Sequence, residues 1–200
     1  MEIDTVRAHL KDMLEARGDD VSYIEEHGDA VETSRYYSEI IELGTDKTTV
    51  FFVLSKEMLK KWRQQEESPA KMMETYGTKN FLLILSDSPS PAAMHSLTAW
   101  DKELQGQGGM LQVFFTKELM YNPMKHELVP HHEKLSEADA KAMMEQYLVK
   151  SKAQLPIISR NDPIARRLGL RHGDIVRITR YNDTSGVYYY LSLIHISEPT

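Results

Sequence analysis

The stretch QLPIISRNDPIARRLGLRHGDIVRITRYNDTSG (residues 154–186) decides the fold of the C-terminal part of the chain. Asn161 and Asp162 stand directly before Pro163, an order typical of a helix that begins at the proline behind a capping residue. Gly169 is the residue type that most often ends a helix, because glycine enters the left-handed conformation at little cost. We therefore predict a short helix that starts at Pro163 and stops near Gly169.

Two strands should follow this helix. Gly173 turns the chain into the apolar run at residues 175–178, and residues 182–186 have the composition of a turn. The next strand contains Val187 and three consecutive tyrosines, residues 188–190. Helix, strand, turn and strand together predict a compact α+β unit.

Two more signals lie upstream of this unit. HELVP (126–130) has the pattern of a strand followed by a turn. Ser136 with Asp139 three residues later resembles a capping box, and the good helix formers behind it include Ala138, Met143 and Leu148. We expect a helix there.

The first 123 residues alternate between helix and strand signals. Apolar residues recur at helical spacing before Gly18, a candidate C-cap; they are Ile3, Val6, Leu10, Met13 and Leu14. The later predicted elements are a short helix at 21–30, strands at 36–43 and 49–54, a helix from 68 to 76, a strand at 81–85, a helix from 90 to about 104, and a strand at 110–115.

Strands that alternate with helices indicate an α/β sandwich. FLLIL (81–85) is apolar throughout, as expected for a strand that helices cover on both faces. Asn122-Pro123 is the predicted boundary between two domains, residues 1–123 and 124–200.

Composition limits the function classes. Hydrophobic residues make up 41% of the chain and charged residues 27%, as in ordinary globular proteins. The chain has no cysteine, which excludes disulfides, thiolate metal sites and catalytic thiols and fits an intracellular protein. No apolar run approaches the roughly 18 residues of a membrane span, and the acidic, amphipathic N-terminus is unlike a targeting peptide, so we expect no membrane partner.

Charge is distributed unequally along the chain. Residues 1–123 hold 13 basic and 21 acidic residues, a net charge of −8, whereas residues 124–200 hold 11 and 9, a net charge of +2. Six arginines fall within residues 160–180. Such a cluster can bind nucleic acid or an acidic protein surface, and the alternative is a solvated face.

The C-terminal motifs also occur together in one known family. In order they are HELVPxH (126–132), QLPxI (154–158), DPxARxxGxxxGxxVxIxR (162–180) and TSGxY (184–188). Each is weak alone, but their order and spacing resemble the assembly domain of the fifth subunit of eukaryotic nuclear RNA polymerases, which has a counterpart in the archaeal RNA polymerase. The resemblance continues more loosely through the first 123 residues.

This resemblance implies a non-catalytic polymerase subunit without cofactor or metal. Residues 124–200 would dock on the largest subunit and contact other core subunits, and transcription factors remain open as further partners. The implied interface residues are Asp162, Pro163, Arg166, Gly169, Gly173 and Arg180. Capping and turn formation account for all of them except Arg166 and, more weakly, Arg180, which suit pairing with a partner's carboxylate. Nuclear localisation and a chain that is not a homo-oligomer also follow from the resemblance.

Residues 1–123 would form part of the lower jaw of the polymerase. The segment of this chain that matches the jaw motif facing downstream duplex DNA contains Ser88, Ser90, Pro91 and Ala92. These residues precede a helix, whose free backbone N–H groups favour an anion such as a phosphate. Contact should be weak and independent of sequence, because backbone donors carry no base information and Asp87 opposes it.

Two alternatives remain at this point. A magnesium-dependent nuclease would use the same α/β scaffold, and in VLSK (53–56) Lys56 is suitably placed, but Leu54 stands where an acid is required. The resemblance implies a nuclease-like sandwich that has no active site. The second alternative is a free adaptor that binds transcription factors. A metal site at His126, His131 and His132 is disfavoured, because no carboxylate lies at a recognised spacing.

The end of the chain departs from the family pattern. Leu191 and Ser192 occupy positions where a tyrosine-arginine pair is expected, and LSLIHISEPT resembles translated adaptor sequence or a splice variant. Residues 191–194 keep apolar side chains at alternate positions, so we expect them to extend the last strand.

Overall fold

The computed structural model describes residues 2–22, 41–45, 47–53, 55–180 and 188–193, with side chains from residue 5 to 22 and from residue 45 onwards. These residues divide into two compact units, one that ends at Tyr121 and one that begins at Asn122. Both contain helices and strands, so the fold is mixed, as predicted. No helix in these ranges combines the length and apolar composition needed to cross a bilayer.

The N-terminal unit alternates helices and strands. Its elements are α1 (Glu2–Ala16), β1 (Ile41–Gly44), β2 (Thr48–Val53), α2 (Lys56–Glu66), α3 (Pro69–Tyr76), β3 (Asn80–Leu85), α4 (Pro91–Gly106), β4 (Met110–Phe115) and a 3₁₀ turn (Thr116–Leu119). The strands form one sheet in the order β1-β2-β3-β4. β1 is antiparallel to β2, whereas β2, β3 and β4 are parallel in register.

Helices cover both faces of this sheet. Alternate residues of a strand point to opposite faces, so Val50 and Phe52 pack with α1 while Phe51 and Val53 pack with α2, α3 and α4. Both pairs are fully buried. The unit is therefore a three-layer α/β sandwich, and β3, buried almost throughout, is the two-sided strand that FLLIL predicts.

Local signals explain where these elements begin and end. Ser55, Ser68 and Ser90 each accept a backbone N–H bond at a helix start, and Gly77 closes α3 with a φ of 68°. Residue 109 must be glycine because the backbone at Lys79 lies close to it. A Cβ at this position would lie 2.4 Å from the carbonyl oxygen of Lys79.

The C-terminal unit is built on a smaller, antiparallel sheet. It contains a 3₁₀ turn (Pro123–Lys125), β5 (His131–Lys134), α5 (Glu137–Gln146), a 3₁₀ turn (Lys152–Gln154), α6 (Pro163–Arg167), β6 (Ile175–Thr179) and β7 (Tyr188–Ser192). The strand order is β5-β6-β7, with β6 in the centre.

The two faces of β6 belong to different clusters. Val176 and Ile178 pack with α6 and with Leu193, while Ile175 packs with Ala140 and Met143 of α5. The predicted extension of the last strand over residues 191–194 is confirmed for Leu191 and Ser192, and Ser192 is bridged to Ile157. Leu193 follows the strand and is buried, and Ile194 lies outside the described residues.

Three predictions were wrong in part. Residues 56–66 form a helix that was not predicted, although Met58, Leu59 and Trp62 lie at helical spacing behind the cap Ser55. HELVP is not a strand; it lies in turns, and the strand starts at His131. α5 ends at Gln146, so Leu148 lies outside it, with φ 55° and 85% exposure.

The other predicted elements are confirmed where residues are described. α1, the β1–β2 hairpin, α3, β3, α4, β4, the helix behind Ser136, α6, β6 and β7 all form. The predicted helix at 21–30, residues 36–40 of the first strand, Leu54 and the turn at 182–186 lie outside the described residues.

Candidate subunit interface and DNA-proximal loop

Asp162 organises the start of α6. Its Oδ1 accepts hydrogen bonds from the N–H groups of Ile164, at 2.8 Å, and Ala165, at 3.1 Å. These are two of the donors that a helix leaves without an internal partner. Pro163 follows at the first helical position, where a missing N–H costs nothing. The Asp-Pro pair thus has a defined role in folding.

Two glycines shape the turn from α6 to β6. Gly169 is buried with φ 61°, and the N–H of the next residue, Leu170, donates to the carbonyl of Ala165. Gly173 has φ 85°, and its N–H donates to the carbonyl of Leu193 at 2.7 Å. A side chain at either φ is strained, so both positions require glycine for conformational reasons.

The two arginines of α6 differ in environment. Arg167 is 3% exposed and belongs to the interior, whereas Arg166 is half-buried. Sequence reasoning singled out Arg166 and missed the burial of Arg167. The spacing held the signal: Ile164, Arg167 and Leu168 stand at i, i+3 and i+4, which places them on one helix face.

The central strand carries a second basic group at its surface. The guanidinium of Arg177 is 2.5 Å from the carboxylate of Glu133 on β5 and lies over the ring of Tyr188, 5.2 Å from its centre. The hydrogen bond to Glu133 raises the pKa of Arg177 above its ordinary value. Burial raises the pKa of Tyr190, which packs on Tyr147 with ring centres 5.6 Å apart.

Arg180 stands at the end of β6. It is exposed, and its guanidinium lies 4.7 Å from the ring centre of Tyr189. A cation over an aromatic face is held in place while its edge stays accessible to a carboxylate. Arg180 therefore meets the geometric requirement of a surface contact.

The arginine cluster at 160–180 is not one uniform basic face. Arg167 is buried, Arg166, Arg171 and Arg177 are half-buried, and Arg160 and Arg180 are exposed. A solvated face, the alternative to a binding cluster, is therefore not formed by all six arginines.

The loop behind β3 carries the predicted DNA-proximal residues. Ser88, Ser90, Pro91 and Ala92 are all exposed at the surface. Ser90 caps α4, with its Oγ accepting from the N–H of Ala93 at 3.3 Å. The structure thus brings these four residues together at a helix N-terminus.

A second helix begins beside this loop. β2 and β3 are parallel neighbours, and α2 follows β2 as α4 follows β3. A hydrogen bond links the ends of these two strands: the N–H of Ser86, which follows β3, donates to the carbonyl of Val53, the last residue of β2, at 3.4 Å. Lys56, the residue considered for a nuclease, is exposed at the first position of α2. One edge of the sheet therefore presents two helix N-termini.

The three histidines are not brought together as a ligand set. Nδ1 of His126 accepts from the N–H of Leu128 at 3.2 Å, and Nδ1 of His132 donates to the carbonyl of Pro130 at 2.6 Å. Within the described ranges, no three His, Asp or Glu residues are grouped so that they could hold a metal ion.

Comparison with known proteins finds one protein family, which matches the C-terminal unit. Residues 121–194 match the family described as RNA polymerase Rpb5, C-terminal domain. The chain is 46% identical over 74 residues to DNA-directed RNA polymerase subunit Rpo5 of Pyrococcus abyssi, a match that covers 37% of this chain and 89% of the archaeal protein.

Longer relatives also match the N-terminal unit. The chain is 29% identical over 155 residues to the DNA-directed RNA polymerases I, II, and III subunit RPABC1 of Caenorhabditis elegans, covering 78% of this chain and 71% of the nematode protein. The Caenorhabditis briggsae protein of the same name matches equally well.

Proposed function

The chain belongs to the RNA polymerase Rpb5 family, and from this membership we propose that it is a non-catalytic subunit of a nuclear DNA-directed RNA polymerase. Its C-terminal unit docks on the largest subunit, and its N-terminal unit forms part of the jaw near downstream DNA. The observation that carries the proposal is that the family match and the C-terminal structural unit begin at almost the same residue. The family match spans residues 121–194, and the compact unit begins at Asn122.

The docking surface centres on Arg166 and Arg180. Asp162, Gly169 and Gly173 are accounted for by a cap and two left-handed turns, so substitutions there act through folding. Arg166 stands half-buried on a helix held by those residues, and Arg180 stands exposed over Tyr189. Guanidinium groups fixed in this way suit bidentate pairing with carboxylates of the largest subunit.

The N-terminal unit has the features expected of a weak DNA contact. The nuclease-like character of its sandwich is what the resemblance implies and is part of the proposal. The surface loop at residues 88–92 and the two neighbouring helix N-termini offer backbone N–H groups to phosphates. The net charge of −8 over residues 1–123 opposes tight binding, so proximity must come from assembly into the polymerase.

Affinity purification of the tagged chain from its native cells, followed by mass spectrometry, tests the assembly. We expect the largest polymerase subunits in near-equal amounts. Arg166→Ala should lower their recovery about tenfold or more, since truncating one partner of a buried charge pair costs about 2–5 kcal/mol. Arg160→Ala, the same change six residues away, should recover them normally. A chain that returns without large subunits contradicts the proposal.

The same purified assembly tests the DNA contact. A photo-crosslinking amino acid at Ala92 should label downstream duplex DNA, whereas one at Thr98, also exposed on α4, serves as the control. Equal labelling from both positions, or none from Ala92, would remove the DNA-proximal role and leave the assembly role standing.

A further inference from the structure

The chain contains three Ser-Pro dipeptides, at residues 68–69, 88–89 and 90–91. They share the same two residue types but stand in different structural settings. Ser68 and Ser90 cap helices, whereas Ser88 lies in the loop between β3 and α4. The chain therefore offers one chemical motif in three structural settings: an exposed loop, an exposed helix cap and a half-buried helix cap.

We propose that Ser88 is a phosphorylation site for a proline-directed serine/threonine kinase. Ser88 is exposed and lies outside helix and strand, together with the two residues on either side of it. Pro89 restricts Ser88 to an extended backbone, the conformation in which a kinase cleft holds its substrate peptide. A segment that is extended beforehand loses less conformational freedom on binding. Proline also offers no N–H that the cleft would have to satisfy.

Ser90 is a poorer substrate although it also lies at the surface. Its Oγ accepts the N–H of Ala93, and its carbonyl accepts the N–H of Met94 at 3.0 Å. The residues after it are helical from Pro91 onwards. A kinase would have to unwind the first turn of α4 to hold Ser90 in an extended segment.

Ser68 is poorer still. Pro69 is buried in the first turn of α3, and Ser68 itself is half-buried. Its N–H donates to the carbonyl of Glu66 at 2.5 Å, and its Oγ accepts from the N–H of Lys71. Ser68 is thus an internal control with the same dipeptide in a closed setting.

The reaction uses MgATP as the phosphoryl donor. The Oγ of Ser88 attacks the γ-phosphorus, a new O–P bond forms, and the bond between that phosphorus and the β,γ-bridging oxygen breaks to release ADP. The hydroxyl proton passes to the catalytic aspartate of the kinase. The product carries about −1.5 to −2 charges two residues before the cap of α4, where the positive end of the helix dipole favours an anion.

The test is in vitro phosphorylation of the folded full-length chain with MgATP, using a cyclin-dependent kinase and a mitogen-activated kinase in separate reactions. Tandem mass spectrometry then assigns the phosphate. We expect the initial rate at Ser88 to exceed the rate at Ser68 at least tenfold and to exceed that at Ser90. Ser88→Ala, which removes no helix cap, should abolish the dominant phosphopeptide.

Two variants make the assignment sharper. Pro89→Ala should suppress modification of Ser88 while it leaves the serine in place. Ser68→Ala should leave the rate at Ser88 unchanged. No incorporation by either kinase, dominant labelling of Ser90 or Ser68, or equal labelling of all three serines would overturn the assignment. The assignment does not depend on the polymerase role.

Discussion

The N-terminal unit and the C-terminal unit are each stabilised internally, by different kinds of interaction. In the N-terminal unit the parallel strands are apolar on both sides, and β2 is buried at every position. In the C-terminal unit none of the described strands is buried at every position, and β5 exposes three of its four residues. There the turns rest on named polar and glycine residues, such as Asp162 and Gly173.

This difference predicts which substitutions each unit tolerates. Apolar core residues can exchange with one another at a cost of less than about 1.5 kcal/mol when volume is kept, so a buried sheet tolerates sequence change. A capping carboxylate or a glycine at positive φ has few substitutes.

The largest effect should come from the N-terminal core. Phe51 is 1% exposed, and its ring contacts those of Trp62, Tyr76 and Phe81 at centre distances of 5.4, 5.2 and 6.4 Å. Phe51→Ala should lower the free energy of unfolding by about 3–5 kcal/mol, because it removes buried contacts and leaves a cavity. Urea unfolding followed by tryptophan fluorescence measures this.

Tryptophan fluorescence reports on unfolding of the N-terminal unit, since both tryptophans, Trp62 and Trp100, belong to it. Tyr121→Ala, at a position 60% exposed, is the matched aromatic control and should change the free energy of unfolding by less than about 0.5 kcal/mol. If Phe51→Ala lowers the free energy of unfolding no more than the control does, Phe51 is not part of a buried core between the sheet and α2, α3 and α4.

A smaller effect is expected at the cap of α6. Asp162→Ala removes the acceptor of two N–H groups and should cost about 1 kcal/mol, a factor of about 5 in the local opening equilibrium. Amide hydrogen exchange of Ile164 and Ala165 is the measurement. Asp162→Asn keeps a capping oxygen and should restore most of the protection.

The asparagine variant also separates folding from docking. If Asp162 acts only as a cap, Asp162→Asn should keep both exchange protection and recovery of the large polymerase subunits. Normal protection with lost recovery would show that the charge itself is part of the interface.

Much of the fold was accessible from the sequence because its signals are local. Ser68-Pro69 with Gly77 fixed the bounds of α3, and an unbroken apolar run identified β3 as a central strand. The helix at 56–66 was not predicted, because most of its residues are charged or polar and its apolar face is limited to Met58, Leu59 and Trp62.

The candidate site was harder to predict from the sequence, since its contacts join residues that are far apart along the chain. Arg177 meets Glu133 only because β5 pairs with β6 in a particular antiparallel register. Register depends on packing of the whole unit, and a one-residue shift would send Arg177 to the other face. The proposed docking and DNA-proximal contacts would form with a partner, so the fold of this chain determines the exposure of these residues and not their contacts.

The smallest expected effect concerns a buried acid in the N-terminal unit. Glu66 is 6% exposed at the end of α2 and accepts a hydrogen bond from the hydroxyl of Tyr76 at 2.9 Å. Burial raises the pKa of Glu66 above 4.5, and the Tyr76 hydrogen bond opposes that rise. Folding therefore favours the protonated acid at the junction of α2 and α3.

A carboxyl whose pKa is higher in the folded chain binds more protons folded than unfolded, so its contribution to stability falls as the pH rises. The contribution of Glu66 should be complete below pH 4.5 and decline as the pH passes through the raised pKa. Relative to wild type, Glu66→Gln should gain stability as the pH rises above 4.5, measured as urea midpoints by tryptophan fluorescence. In the Tyr76→Phe variant, which keeps Glu66, stability should decline more steeply with rising pH, because the hydrogen bond that opposes the rise in the pKa of Glu66 is gone. A difference between wild type and Glu66→Gln that stays constant with pH would show that Glu66 is solvated in the folded chain, and the two-sided core would then be looser at this corner than its packing indicates.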